Sequence, residues 1–391
     1  MKKKRTLLIL LASICFVFAG CGEDTAPAET EPYVPSNYRA YFQEDSALEH
    51  YGYIDDSGYV VVEAQFQLAN DFQPNGLAVV KKDFKYGCID KFGNFVIEPQ
   101  FDAIEQFDDS GLAQVLLDGK WGYVDTIGNL VIPHLYDEVS DFDECGIARV
   151  EKDGKSLYID ITGAVVLQPE VDYAGRFDEY GLAGIRIGDN WGVIDRNGNI
   201  VIEPIYDFLY NFADNGLAVA ELNGRYGYID RSGNMVIPAI YEDAEDFSYG
   251  LAAVQMYGKY GYIDANGEML IPLQFTMGYM FNENGEAQVE VDGKLGIIDN
   301  TGTYLIPAEY DFVSGFNEDG HCGVKTNGYL EVYDRDGNKV DPAKYHTDSV
   351  PCDNGWFPSD QGRTYAFVDE NGNLMLETPY KYVSKFKYVG E

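Results

Sequence analysis

A chain of 391 residues with 42 glycines, 31 tyrosines and 22 phenylalanines is suited to short strands joined by tight turns. Its hydrophobic fraction of 46% is too high for a disordered polymer. The 28 basic residues stand against 65 acidic ones, a formal charge of −37, which excludes nucleic acid as a partner because phosphates need Lys and Arg to neutralise them.

The chain opens with Lys2, Lys3, Lys4 and Arg5, followed by an apolar run from Leu7 to Phe18 that is short for a bilayer span. A basic start, a brief apolar core and small residues together read as an export signal over residues 1–20. Phe18-Ala19-Gly20-Cys21 resembles the lipobox of bacterial lipoproteins, with Phe18 where Leu is usual. The resemblance implies that Cys21 is lipidated and becomes the new N-terminus. The alternative is an ordinary secretory signal cut near Ala19. Residues 21–37, rich in Pro, Glu and Thr, have little to bury and read as a solvated tether. Removal of residues 1–20 leaves 24 basic residues against 65 acidic ones, a charge of −41. Such a chain is repelled by anionic headgroups, so contact with the membrane is expected through the lipid alone.

Residues 38–391 are one unit written ten times. Asp55, Asp90, Asp125, Asp160, Asp195, Asp230, Asp264, Asp299, Asp334 and Asp369 follow one another at steps of 35, with one step of 34, and each has a glycine three positions later. A second glycine series runs from Gly76 and Gly111 to Gly390, with Tyr41 at the extrapolated first position. Within a unit, Leu112 to Leu117 reads as a strand, Asp118-Gly119 as a hairpin turn and Lys120 to Asp125 as the returning strand. Asp-x-x-Gly-Asn then predicts a second turn, and Asn129 to Ile132 a third strand stopped by Pro133. A short fourth strand or irregular return covers Tyr136 to Phe142. No segment carries a helical period.

Lys-Trp-Gly-Tyr-Val-Asp at 120–125 and Asn-Trp-Gly-Val-Ile-Asp at 190–195 resemble the WG (KWG) β-repeats of bacterial proteins. Tyr-Gly or Leu-Gly replaces Trp-Gly at Tyr51, Tyr86, Tyr226, Tyr260 and Leu295, while Ser156-Leu157, Leu330-Glu331 and Tyr365-Ala366 depart further. The resemblance supports an all-β array of ten antiparallel meanders of about 35 residues and implies no activity. The end units read as degenerate caps. With no evident exchange of strands between the ends, an open superhelix or solenoid is expected, and a β-propeller is the alternative.

Trp121, Trp191, Tyr86, Tyr226 and Tyr260 recur at one strand position. They are candidate ligand-binding residues if exposed, or interface glue if buried. The Asp-x-x-Gly turns lack the alternating ligands and closing Glu of a calcium loop, so no metal or other cofactor is expected. His50, His134, His321 and His346 share no motif, and the common catalytic fingerprints are absent. Cys88, Cys145, Cys322 and Cys352 show no metal spacing and are expected to be buried hydrophobes, with a Cys322–Cys352 disulfide as the alternative. The sequence thus predicts a monomeric, non-catalytic, lipid-anchored protein facing outside the cytoplasm. Its expected partner is an envelope protein, or alternatively a wall glycan.

Overall fold

The computed structural model describes residues 36–44, 50–317, 320–341, 352, 354–360, 365–369, 373–380 and 382–389. The export signal, Cys21 and most of the tether lie outside the described residues. Among those described, every regular element is a β-strand, and no helix is long and apolar enough to cross a membrane. The strands form ten antiparallel sheets in chain order.

The third sheet shows how each is built. It comprises Ala103–Phe107, Leu112–Leu117, Lys120–Asp125 and Leu130–Tyr136, each strand paired with the next. Asp118 and Gly119 both adopt positive φ, 51° and 78°, which is the twist a two-residue hairpin needs. At the second turn, Asp125 N–H donates to the Asn129 carbonyl and Gly128 N–H to the Asp125 carbonyl, both at 3.0 Å. The leading strand comes from the segment that leaves the previous sheet. The short fourth strand expected near Tyr136–Phe142 is Glu138–Val139, and it opens the next sheet rather than closing its own.

Pro133 does not stop the third strand, which continues to Tyr136. Trp121 pairs with Tyr136 and Tyr123 with Ile132, so two steps of one strand face four of the other. The extra residues bulge over Gly122, and Pro133 sits in that bulge, where the ladder needs no N–H from it. This explains the glycine of the Trp-Gly pair. A Cβ on Gly52, Gly87, Gly122, Gly192, Gly227, Gly261 or Gly296 would lie 2.4–2.6 Å from a carbonyl oxygen of the crossing strand. The three departures fit the same rule. The fourth sheet has Leu157 and a third strand that ends at Leu167; the ninth has Glu331 and, among the described residues, Lys339–Val340 as its last strand. In the tenth, Ala366 pairs directly with Glu377 without a bulge.

The ends of the array are joined, which corrects the expectation that they exchange no strand. The first sheet holds Tyr38–Gln43, Tyr51–Ile54 and Val60–Phe66, together with Tyr382–Val383 and Lys387–Tyr388 from the other end. The join reproduces the register of an internal sheet. Ser384 N–H donates to the Tyr41 carbonyl at 2.8 Å, and Tyr41 N–H to Ser384 Oγ at 3.0 Å. Arg149 N–H donates in the same way to Ser140 Oγ. The register also sets Ala40 opposite Ile54 where the fourth sheet sets Ala148 opposite Ile159. Tyr38, not Tyr41, therefore holds the first glycine position, because the first hairpin is longer than the others.

Each of the first eight sheets buries one face against the sheet before it, the tenth in the case of the first, and the other against the sheet after it. Ala113 and Val115 pack with Cys88 and Ile97, while Tyr123 and Ile132 pack with Ala148 and Val150. The first sheet packs on the second through Tyr53, Phe66 and Ala78, and on the tenth through Phe42, Phe367 and Phe386. Nine sheets stacked straight at about 10 Å would set the first and ninth about 80 Å apart. The eleven-residue step from 341 to 352 reaches at most about 40 Å. The stack therefore turns back on its own start. The tandem meanders stand as read from the sequence, and the end-to-end pairing favours the closed, propeller-like alternative.

Cys88 and Cys322 are buried as expected, and Cys145 is exposed because it sits in a surface turn. Cys322 packs with Ile297 and Val324, and Cys352 with Ile54 and Phe367, so the two lie in separate cores.

Candidate functional site

The aromatic series lies at the interfaces between sheets. Trp121 is half-buried against the core of Tyr123, Tyr136 and Val150. Trp191 packs beside Tyr206 and Ala220, its ring 5.7 Å from Tyr173 and 5.4 Å from Phe208. Tyr226 packs against Tyr241 and Val254, and burial raises its pKa. Tyr260 is buried, and its hydroxyl donates to Asp243; burial, then that carboxylate, push its pKa upward. Tyr86 is half-buried with Lys81 Nζ 4.7 Å from its ring centre. Each ring contacts neighbours of its own interface, and the five form no continuous open platform. Trp191 differs in that it faces a cavity.

The ring two residues further on is the deeper anchor, and sequence reasoning passed over it. Tyr53, Tyr123, Tyr158, Tyr228 and Tyr262 are fully buried. Each hydroxyl donates to the carbonyl of a residue 17 positions later, on the next sheet: Asn70, Ser140, Gly175, Glu245 and Tyr279, at 2.6–2.9 Å. Each ring also sits 4.4–5.0 Å from a phenylalanine of that sheet, Phe72, Phe142, Phe177, Phe247 or Phe281. The usable signal was the joint recurrence of this Tyr and Phe at a fixed separation.

Acidic residues also work between sheets. Asp102 accepts from Lys85 of the second sheet and from Asp118 N–H in the hairpin turn of the third. Asp137 does the same with Lys120 and Asp153 N–H, and Asp311 with Lys294 and Asn327 N–H. The lysine, then the turn N–H, hold each of these carboxyls below the ordinary range. The Asp-x-x-Gly aspartates are occupied by their own turns. Asp195 accepts from Asn197 N–H, Asn199 N–H and the Asn199 side chain at 2.8–2.9 Å, and the Asn199 amide leads in lowering its pKa. Among the described residues no group of three or more His, Cys, Asp or Glu is placed to hold a metal ion.

The free surface carries a pattern of its own. Among the described residues the last strand of most sheets is an unpaired edge, and each of five successive edges exposes an aliphatic side chain at the same repeat position. These are Val131, Val166, Val201, Val236 and Leu270, 37–51% accessible. Leu130, Val165, Ile200 and Met269 precede four of them and are also exposed. Bare strand edges lined with aliphatic groups are pairing surfaces that proteins usually blunt unless a partner uses them.

Eight matches to the WG containing repeat family run from residue 51 to residue 329, each about one unit long, and cover most of the chain. The chain belongs to the WG-repeat family. The matches leave out Tyr38–Gln43 and everything after residue 329, which include the strands that join the ends. No curated protein matches the sequence. Among solved structures, one described as a eukaryotic initiation factor is 11% identical over 78% of this chain and 94% of its own, with a TM-score of 0.44. The Saccharomyces cerevisiae Sqt1 structure is 11% identical over 68% and 94%, with a TM-score of 0.33. Kluyveromyces lactis Hsv2p is 10% identical over 60% and 90%, with a TM-score of 0.31. At these scores the likenesses carry no argument about function.

Proposed function

We propose that this WG-repeat protein is a non-catalytic interaction scaffold, lipidated at Cys21 and held on the outer side of a bacterial membrane by its acidic, proline-containing tether. The repeated aliphatic edge carries this reading. Five consecutive sheets present the same exposed aliphatic side chain on an unpaired strand. Such a surface suits a protein partner, which can bury aliphatic groups and add main-chain hydrogen bonds to the strand edge. A pyranose would want exposed rings instead, and the Trp/Tyr series is largely committed to packing between sheets. The charge of the mature chain, −41 after loss of residues 1–20, favours partners with basic surfaces.

Crosslinked capture from intact cells tests the reading, with bound material assayed for protein and for sugar. The scaffold reading expects one enriched protein, lost when Val201→Glu and Val236→Glu place charges on the edge. Wall polymer recovered without protein would overturn it in favour of glycan binding.

A further inference from the structure

The interface between the fifth and sixth sheets lacks its tyrosine. Val193 stands where Tyr53, Tyr123, Tyr158, Tyr228 and Tyr262 stand in other sheets, so the Tyr210 carbonyl, 17 residues on, receives no hydroxyl from it. Phe212, the counterpart of Phe72, Phe142, Phe177, Phe247 and Phe281, is half-buried like Phe177, whereas the other four are buried. A second deletion deepens the gap. Gly184 occupies the position of Gln114, Arg149 and Gln288, whose side chains reach across to the next sheet. A Cβ on Gly184 would meet nothing within 4 Å.

A cavity of about 450 Å³ fills this place, with Trp191, Phe208 and Phe212 among its walls and Val193, Gly184 and Tyr210 beside them. A smaller cavity, about 270 Å³, lies against Ile297, another residue in the tyrosine position, but there Gln288 is present and bonds to the Val313 carbonyl at 3.0 Å. Both cavities lie where another residue replaces the tyrosine, and the larger one also has glycine at the position of Gln288.

We propose that the fifth–sixth interface binds a 4-hydroxyphenyl group, which replaces the missing ring of the protein's own repeat. Five other interfaces show what the site accepts: a phenol ring against the phenylalanine and a hydroxyl donating to the facing carbonyl. Phe212 and the Tyr210 carbonyl supply the same two partners here. Trp191 and Phe208 add apolar walls. The phenol comes either as a free small molecule or as a tyrosine side chain of a bound chain. This inference is independent of the edge-strand reading above.

The test uses the full chain and Trp191-sensitive fluorescence, titrated with p-cresol, toluene and N-acetyltyrosinamide. Saturable p-cresol binding is expected, about fivefold tighter than toluene because one hydrogen bond is gained. Val193→Tyr should abolish it by refilling the site, and Gly184→Gln should do so from the opposite wall if Val193→Tyr folds poorly. Ile297→Tyr should leave it unchanged. Binding of N-acetyltyrosinamide as well assigns the site to a tyrosine side chain, and binding of p-cresol alone to a free phenol. The proposal is overturned if p-cresol does not saturate, or if folded Val193→Tyr and Gly184→Gln bind it like the wild type. A scaffold that captured no protein in cells would not alter these titrations.

Discussion

Replacing Gly122 with alanine isolates one steric contact on which the Trp-Gly motif depends. The added Cβ would lie 2.5 Å from the Ile132 carbonyl oxygen and 2.9 Å from both the His134 nitrogen and the Pro133 carbonyl carbon. All three are backbone atoms, so no side chain can rotate away. Restoring an ordinary contact requires the bulged strand to retreat by roughly 0.9 Å, which strains the pairing of Trp121 with Tyr136. Overpacking of this kind costs about 1–3 kcal/mol. Gly122 does not have a left-handed φ, so alanine returns about 0.4–1 kcal/mol by restricting the unfolded chain. The net loss should be about 1.3 kcal/mol, or roughly a ninefold rise in local opening. A repeat array need not unfold all at once, so amide hydrogen exchange over residues 112–136 is the suitable assay. Gly119→Ala is the control: its φ is 78° and no atom lies within 4 Å, so its cost is conformational alone, about 1 kcal/mol. If Gly122→Ala exchanges no faster than Gly119→Ala, the crossing strand is not the reason for the glycine.

Other consequences are open to measurement. Tyr123→Phe leaves the Ser140 carbonyl without its donor and should cost about 1 kcal/mol; an unchanged denaturation midpoint would remove the hydroxyl from the account. Burial, with Asp243 and Asp246 nearby, raises the pKa of Glu245, and burial raises that of Asp246, so their folded forms bind protons more readily than the unfolded chain. They add stability as pH falls toward 5. The carboxyls of Asp102, Asp137 and Asp311 are lowered instead, and their contribution disappears below about pH 4. Thermal unfolding should therefore hold or rise from pH 7 to 5 and then fall, and a steady decline from pH 7 would contradict this. EDTA should leave the melting temperature unchanged, because the turn aspartates are satisfied by N–H groups; a drop of several degrees would show a bound cation. Cys21→Ala should release the protein from membranes, and retention would refute acylation there.

Much of the array is legible because its signals are local. Asp118-Gly119 sets a hairpin and Asp125 to Asn129 a second turn through contacts within a few residues, so periodicity alone recovers them. The strand beyond Pro133 was hidden for the opposite reason: the bulge that tolerates proline exists only once Gly122 lies beneath it. The join of the ends was hidden by brevity. Tyr382–Val383 is a two-residue strand, too short to carry an alternating pattern, and its partner Phe42 lies at the far end of the chain. The buried tyrosine anchors are readable in the joint recurrence of Tyr123 and Phe142, a weaker signal than the Trp-Gly pair at Trp121 because valine, isoleucine or cysteine replaces the tyrosine in several units. The Val193 cavity needs the structure, because a lost ring becomes a site only if its neighbours fail to close over it.

Closure of the array decides which surfaces are interfaces and which are free. Gln43 pairs with Tyr382 across the join, and paired antiparallel strand positions are close enough for a disulfide. Gln43→Cys with Tyr382→Cys, made in a Cys145→Ser background to remove the exposed native thiol, should oxidise within one chain, visible as a single crosslinked peptide pair in a monomer. If the double variant stays reduced under oxidant, or links only between molecules, the ends are apart and the array is open.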